Sequence, residues 1–130
     1  MRQTITPYLL YEDADAASAW LQRAFDFREV DRQTGAAGGL HLELEVTPGD
    51  GRVYAGSPPE GFQSAAKVGR TSLVYALVED VDAHYERAKG AGAEIVEELK
   101  DAPYGDRRYT CRDPEGHEWC FASPLGEAAA

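Results

Sequence analysis

Two stretches of the chain read almost alike, YLLYEDADA at residues 8–16 and YALVEDVDA at residues 75–83. At a shift of 67 positions, six of the nine residues in the first stretch fall on identical residues in the second. At a shift of 66, three more residues recur, so that Pro48, Ser57 and Pro58 fall on Pro114, Ser123 and Pro124. The chain therefore contains two copies of one unit, and such a duplication predicts a pseudo-twofold arrangement with a site between the copies.

Each unit begins with a strand that leads into a helix. We predict the first strand over residues 3–11, and Pro7 restricts it to a sheet edge or a bulge because proline has no N–H to donate. Asp13 and Asp80 are predicted helix N-caps, since an aspartate side chain accepts hydrogen bonds from the free N–H groups of a first turn. The helix after Asp13 carries its apolar residues on one face: Ala17, Trp20, Leu21, Ala24 and Phe25.

Three strands follow the helix in each unit. They are predicted at 27–34, 40–46 and 52–56, with turns at 35–39 and 47–51, and again at 93–99, 106–112 and 117–123, with a turn at 113–116. The fold class is thus α+β, with two βαβββ modules. One domain is predicted over 1–124, with module one at about 3–57, a linker at about 58–70, module two at about 71–124 and a tail at 125–130.

The composition is that of a single acidic domain. With 130 residues and a net charge of −10, the chain lacks the basic surface that nucleic-acid binding requires. No run of 18 apolar residues occurs and the first residues lack a secretory signal pattern, so we expect no membrane partner and a cytoplasmic location. Two cysteines are too few for a disulfide scaffold.

The chain resembles the vicinal-oxygen-chelate superfamily, whose members include glyoxalases, bleomycin-resistance proteins and extradiol dioxygenases. The resemblance spans about residues 3–124 and is carried by YEDADAASAWLQRAFDF at 11–27, VEDVDAHYERAKGAGAEI at 78–95 and YGDRRYTCRDPEGHEWCFASP at 104–124. It implies the glyoxalase/bleomycin-resistance fold, in which two βαβββ modules form curved sheets around a cavity. It also implies a homodimer, which in relatives often pairs modules of different chains. It implies no particular activity, because this fold hosts many functions.

Metal-binding members of that superfamily take ligands from the first and last strands of each module, usually His, Glu or Gln. The resemblance transfers these four positions to Thr6, Tyr54, Leu73 and Cys120. Leucine cannot bind a metal, threonine and tyrosine are poor ligands for divalent ions, and one cysteine alone does not hold one. We therefore expect no metal and no other cofactor.

The strand at 40–46 supplies two polar candidates. Leu40, Leu42 and Leu44 occupy one face of the alternating pattern, which leaves His41 and Glu43 on the other. A histidine and a glutamate two residues apart on a strand can act as an acid/base pair or position a ligand. The alternative is a solvated strand face with alternating charge.

Four tyrosines are predicted on the concave faces of the sheets: Tyr8, Tyr54, Tyr75 and Tyr109. Aromatic rings that line one cavity would suit a planar or a cationic ligand. The alternative is that the rings simply fill a closed cavity.

The last hairpin contains both cysteines. Alternation along its second strand directs Trp119 and Phe121 to the helices and Cys120 to the cavity. Cys111 is predicted opposite Glu118, too far from Cys120 for a relaxed disulfide, so both thiols should be free.

A nucleophilic role for Cys120 would require a neighbouring cation that stabilises the thiolate. Arg107 and His41 are the candidates for that cation. The other two histidines are expected to be structural or exposed: His117 at the hairpin turn, and His84 at the edge of the second helix's apolar face, outside the cavity.

Two classes of function remain open. The first is a metal-free protein that binds a small cationic or planar aromatic molecule. The second is an enzyme, either a metal-dependent lyase, isomerase or dioxygenase of the superfamily or a metal-free catalyst that uses His41 and Glu43. The missing metal ligands favour binding. The predicted partners are a small-molecule ligand and a second copy of the chain, and the predicted ligand-binding residues are Tyr8, His41, Glu43, Tyr54, Tyr75, Tyr109 and Cys120.

Overall fold

The computed structural model describes residues 3, 5–35, 38–46 and 51–125. Module one contains β1 (Tyr8–Leu10), α1 (Ala14–Phe25), β2 (Arg28–Thr34), β3 (Leu40–Val46) and β4 (Gly51–Gly56). A short helix, α2 (Ala65–Val68), follows in the linker. Module two contains β5 (Leu73–Leu77), α3 (Val81–Gly90), β6 (Glu94–Asp101), β7 (Asp106–Arg112) and β8 (Glu118–Pro124).

Each module forms a four-stranded mixed sheet. The strand order is β1-β4-β3-β2 in module one and β5-β8-β7-β6 in module two, and in both the first strand pairs in parallel with the last. The other neighbouring strands are antiparallel. The predicted α+β fold of two βαβββ modules is confirmed, and β1 is an edge strand as Pro7 requires.

The two long helices begin at the predicted N-caps. Asp13 Oδ1 accepts a hydrogen bond from the N–H of Ala16 at 3.0 Å, and Asp80 Oδ1 accepts one from the N–H of Ala83 at 3.1 Å. Each cap satisfies a donor that the first helical turn leaves without a partner, an interaction typically worth about 1 kcal/mol. The repeated aspartates thus fix equivalent strand-to-helix turns in the two modules.

The modules share one apolar core that contains both long helices. Phe25 at the end of α1 packs against Trp119 and Phe121 of β8, with ring centroids 5.4 and 4.7 Å apart. The Trp20 indole donates to the carbonyl of Ala91, just after α3, at 3.0 Å. Burial of each large side chain contributes roughly 1.5–3 kcal/mol. We call the face of each sheet that points away from this core its outer face.

The turn of the last hairpin forms a second connection between the modules. Buried Asp113 accepts hydrogen bonds from the Tyr11 hydroxyl at 2.6 Å and from the Trp119 indole at 3.1 Å. Its other oxygen accepts the N–H groups of Glu115 and His117. One carboxylate therefore orders the turn and ties it to module one.

Two further side chains of this hairpin reach module one. The Glu115 carboxylate accepts the backbone N–H groups of Glu12 and Asp13, at 2.7 and 2.9 Å. His117 Nε2 lies 2.9 Å from the carbonyl oxygen of Leu10. Asp113, Glu115 and His117 at this turn therefore have structural roles, as expected for His117.

Tyr109 lies in the core, and its predicted place on a concave face is wrong. It pairs with Phe121 across the hairpin, and directly opposed residues of antiparallel strands share a face. His84 is buried beside it. His84 Nε2 donates to the carbonyl of Phe25 at 3.1 Å, so Nδ1 accepts the Tyr109 hydroxyl at 2.6 Å. Burial lowers the pKa of His84 to about 4, which keeps this structural ring neutral.

The hairpin register differs by one residue from the prediction. Cys111 lies opposite Trp119 instead of Glu118, because the N–H of Asp113 donates to the carbonyl of His117 and closes the turn there. Cys120 lies opposite Thr110, on the other face from Cys111. Both thiols are free and buried, as predicted for free thiols.

The linker is more ordered than the sequence predicted. Its short helix α2 contacts the last hairpin, where the N–H of Ala66 donates to the carbonyl of Glu115 at 3.0 Å. The predicted turn at 47–51 and the predicted tail at 125–130 lie largely outside the described residues. Within the described ranges, no helix has the length and apolar character that a membrane span needs.

Candidate functional site

The outer faces of the two sheets carry tyrosines at equivalent places. Tyr8 pairs in register with Tyr54 in module one, and Tyr75 pairs with Cys120 in module two. The two pairs are related by the shifts of the sequence repeat, 67 positions on the first strand and 66 on the last. Tyr8 is 48 % exposed and Tyr75 is 44 % exposed, so each offers an open ring surface.

His41 and Glu43 lie on the outer face of module one and are connected to Tyr8. The Tyr8 hydroxyl is 2.8 Å from His41 Nδ1, and His41 Nε2 is 3.0 Å from Glu43 Oε2. A carboxylate can only accept, so a neutral His41 donates from Nε2 and accepts the Tyr8 O–H at Nδ1. Arg52 Nη1 donates to the second oxygen of Glu43 at 3.3 Å.

The rings of this face form one aromatic cluster. Tyr54 contacts Tyr8 and His41 in edge-to-face geometry, with centroids 5.7 and 5.0 Å apart, and Tyr8 and His41 are 5.4 Å apart. Such contacts hold the rings in fixed orientations. Four of the predicted ligand-binding residues are therefore neighbours: Tyr8, His41, Glu43 and Tyr54.

Arg108 forms hydrogen bonds with three side chains on the outer face of module two. Its Nε donates to Cys120 Sγ at 3.1 Å, and its Nη2 donates to Glu97 Oε1 at 2.7 Å and Thr110 Oγ1 at 2.9 Å. Cys120 has no exposed surface, although it points to the predicted face. A ligand on this face would therefore meet Arg108 before it met the thiol.

The cations predicted for a reactive Cys120 are engaged elsewhere. Arg107 donates to Asp82 and Asp101, at 2.8 and 3.0 Å. His41 is in module one, between Tyr8 and Glu43. The cation that contacts the thiol is Arg108.

Tyr75 is held by its hydroxyl and presents its ring. The hydroxyl donates to Asp106 Oδ2 at 2.5 Å and lies 3.3 Å from the hydroxyl of Tyr104. Burial of the hydroxyl and this bond to Asp106 raise the pKa of Tyr75, so the phenol remains protonated at neutral pH. Tyr75 therefore resembles Tyr8 in having a fixed hydroxyl and an open ring.

The four positions that the family resemblance assigns to metal ligands do not form a metal-binding donor set. Thr6 and Tyr54 are poor ligands, Leu73 has no donor atom, and the Cys120 sulfur is covered by a guanidinium. A shift of two residues along the first strands would substitute Tyr8 and Tyr75, which are no better ligands. Within residues 3, 5–35, 38–46 and 51–125, no three His, Cys, Asp or Glu side chains are grouped as a metal site requires.

Two arginines of these faces were not selected from the sequence. Arg52 and Arg108 lie on strands, where an isolated charged residue usually marks a solvated face. The repeat carried a signal for one of them, because a shift of 67 positions places His41 on Arg108. The pairings of His41 with Gly56 and of Arg108 with Ala122 confirm that equivalence.

Comparisons with known proteins agree with the architecture. The family described as Glyoxalase/Bleomycin resistance protein/Dioxygenase superfamily matches residues 4–121. An uncharacterized protein of Mycobacterium tuberculosis strain H37Rv is 31 % identical over 128 residues, which cover 95 % of this chain and 75 % of the relative.

Two solved structures extend the comparison. TioX from Micromonospora sp. ML1 is 38 % identical, with a TM-score of 0.73 over 95 % of this chain and 99 % of TioX. The fosfomycin resistance protein FosX from Listeria monocytogenes is 16 % identical, with a TM-score of 0.70 over 98 % of this chain and 95 % of FosX. At that identity, the likeness to FosX concerns the fold alone.

Proposed function

Because the chain belongs to the glyoxalase/bleomycin resistance protein/dioxygenase superfamily, we propose that it is a metal-free binding protein of this family. Its ligand is a small planar aromatic molecule, which is held without chemical change. One observation carries the proposal: Tyr8 and Tyr75 occupy equivalent places in the two modules, and each keeps nearly half of its surface open. Their hydroxyls are bound to His41 and Asp106, so the rings are fixed before a ligand arrives.

Fixed rings are suited to stacking. An aromatic pair contributes roughly 0.5–1.5 kcal/mol beyond the burial of its area. A ring that is already oriented loses less conformational freedom when it binds. Both effects favour a flat ligand that covers Tyr8, Tyr75 or both.

The pairing of Glu43 supports an aromatic ligand over a strictly cationic one. His41 and Arg52 occupy both of its carboxylate oxygens. A ligand cation would therefore compete for a carboxylate that already has a cationic partner, Arg52, and a hydrogen-bond donor, His41. The tyrosine rings remain accessible without such competition.

We also propose a homodimer in which a module of one copy closes the outer face of a module of the other. Leu73, Tyr75 and Leu77 occupy alternate positions of the edge strand β5, and each of them is exposed. An apolar edge strand of this kind tends to associate unless something covers it. Closure by a second copy would bring Tyr8 of one chain near Tyr75 of its partner, around a single ligand.

A panel of planar aromatic dyes and naphthalene derivatives, screened by thermal shift and fluorescence titration, tests the binding proposal. Tyr75→Ala should weaken binding by about 1 kcal/mol or more, because the ring surface is lost. Tyr75→Phe keeps the ring and should bind the same compounds as the parent. Equal binding by all three proteins, or none by any, would contradict stacking on Tyr75.

A metal-free enzyme is the second candidate, and the hydrogen-bonded series Tyr8–His41–Glu43 favours it. A Tyr8 hydroxyl that takes a proton from a substrate can pass its own proton to His41 Nδ1, and Glu43 stabilises the resulting imidazolium. Mass spectrometry of each compound recovered after incubation distinguishes the two functions. Turnover that Tyr8→Phe and His41→Gln both abolish would establish the enzyme, whereas recovery of unchanged ligand supports binding.

A further inference from the structure

We propose that Arg108 binds an anionic oxygen of the ligand, so that the ligand class is a planar aromatic carboxylate. This inference rests on the proposed aromatic-binding function and adds to it a charge and an orientation. It is carried by the hydrogen bonds of a single guanidinium and by its position beside Tyr75.

One amino group of Arg108 is available to a ligand. Nε and Nη2 make the three hydrogen bonds to Cys120, Glu97 and Thr110. Nη1 makes no hydrogen bond to the described residues, and none of their buried side-chain nitrogen or oxygen atoms lacks a partner. Nη1 is therefore reached by solvent, although the side chain as a whole is only 17 % exposed.

The same three bonds hold the guanidinium in position. A free arginine side chain loses rotamer freedom when it binds a ligand, and this loss weakens binding. Arg108 has already lost that freedom in the folded chain, because its plane is fixed from two sides. Nη1 keeps two N–H donors in the guanidinium plane, and a carboxylate oxygen of a ligand can accept a charge-assisted hydrogen bond from either of them.

Arg108 shares its carboxylate partner with a second cation. Glu97 pairs with Arg108 through one oxygen, at 2.7 Å, and with Lys100 through the other, at 3.7 Å. Asp106, two residues before Arg108 on the same strand, keeps its negative charge while it accepts the Tyr75 hydroxyl. A ligand anion at Nη1 would be a second anionic partner for the guanidinium.

Arg108 and Tyr75 flank the same buried residue. Cys120 pairs in register with Tyr75 on one side and contacts Arg108 Nε on the other. A ligand whose ring covers Tyr75 would therefore carry its acidic group toward Arg108. This geometry selects aromatic acids over neutral aromatics of the same shape.

The test compares 2-naphthoate with 2-naphthamide, which differ in charge but hardly in shape, by fluorescence titration of the full-length protein. The parent should prefer the carboxylate by about tenfold, since a hydrogen bond to a charged group is worth this much or more. Arg108→Gln should remove that preference. Non-specific attraction cannot produce it, because the chain has a net charge of −10.

Arg112→Gln is the matched control. Arg112 is four residues further along β7, and Glu94 and Glu118 already bind it on both sides, at 3.1 and 3.0 Å. This variant should keep the parent's preference for naphthoate. An equal loss in both variants would overturn the assignment to Arg108.

The remaining outcomes separate the two proposals. Equal binding of both compounds by the parent overturns the anion site while aromatic binding stands. If the parent binds neither compound and no other aromatic of the panel, the proposed function itself is overturned. If Arg108→Gln does not fold, Arg108→Met replaces it. A methionine side chain has neither the charge nor an N–H donor, so an undiminished preference in that variant also overturns the inference.

Discussion

The hydroxyl of Tyr11 donates a hydrogen bond to the buried carboxylate of Asp113 at 2.6 Å and so joins the two modules. Burial, and then the charge of Asp113, raise the pKa of Tyr11, so the proton stays on the phenol. The turn and the strands of the last hairpin therefore have different roles. Its turn holds module two against module one, and only the outer face of its strands is left for a ligand.

Tyr11→Phe should lower the free energy of unfolding by about 1.5–3 kcal/mol, the usual range for a hydrogen bond to a charged group. The change removes the Tyr11 hydrogen bond from the buried Asp113 carboxylate and leaves the Trp119 indole to donate to the same oxygen. Tyr104→Phe is the control, because that hydroxyl is on an exposed ring and, among the described residues, lies within hydrogen-bond distance of Tyr75. Urea denaturation of both variants and the parent measures the difference, and an equal effect of the two changes would contradict it.

Gly116→Ala should destabilise the chain more than Gly105→Ala. Both glycines have positive φ, +92° and +103°, so a side chain strains the backbone by about 1–3 kcal/mol at either position. A Cβ on Gly116 would also lie 2.5 Å from the backbone nitrogen of Ala66, whereas a Cβ on Gly105 would have no heavy atom of the described residues within 4 Å beyond its chain neighbours. Thermal melts of the two variants should therefore differ, and equal Tm values would show that the linker helix gives way.

Stability should fall in acid because of His84. The pKa of His84 is about 4 in the folded chain and about 6.5 when unfolded, so the unfolded state binds more protons between these values. The free energy of unfolding therefore decreases as the pH falls from about 6.5 toward about 4, by roughly 3 kcal/mol for this group alone. His84→Gln lacks the titrating ring and should show a shallower dependence in urea titrations at pH 7.5 and 4.5. Parallel curves would contradict the assignment.

Leu77→Lys should dissociate the proposed homodimer. Leu77 is 56 % exposed on the edge strand β5, and a lysine there places a charge on the surface that a second copy would cover. Val68→Lys is matched in exposure, at 63 %, and lies on the linker helix. Light scattering at micromolar concentration should give about twice 14.2 kDa for the parent and for Val68→Lys, and 14.2 kDa for Leu77→Lys. A monomeric parent would end the proposal.

Elemental analysis after dialysis should find no stoichiometric divalent metal in the purified protein. The reason is the donor chemistry of Thr6, Tyr54, Leu73 and Cys120. Added zinc, nickel or manganese should likewise leave Tm unchanged within about a degree, because a metal that binds the folded state would raise it. One equivalent of metal per chain would show that ligands come from elsewhere.

The fold could be derived from the sequence because its signals are local and occur twice. Asp13 and Asp80 begin equivalent helices, and the strict alternation at 40–46 determines which face of β3 is buried. The placement of His41 and Glu43 follows from that alternation alone. Tyr109 was misplaced because its face depends on the hairpin register, and the Asp113–His117 pair that closes the turn is not evident from composition.

Arg108 could not be recognised in the same way, because its role depends on three partners from different strands. Glu97 is on β6, Thr110 is on β7 and Cys120 is on β8. Such contacts depend on how the strands pair, and the strand propensity of individual residues carries no information about that pairing. The repeat alone indicated the position, through its equivalence to His41.

The duplicated backbone carries unlike side chains at matched positions. Where module one has His41 and Tyr54, module two has Arg108 and Cys120, although the strand pairings correspond. A molecule held between the two kinds of face would experience a polarity, with an aromatic end and a cationic end. The protein would then fix the orientation of the bound molecule, and a mutation in one module would change the contacts of only one end of that molecule.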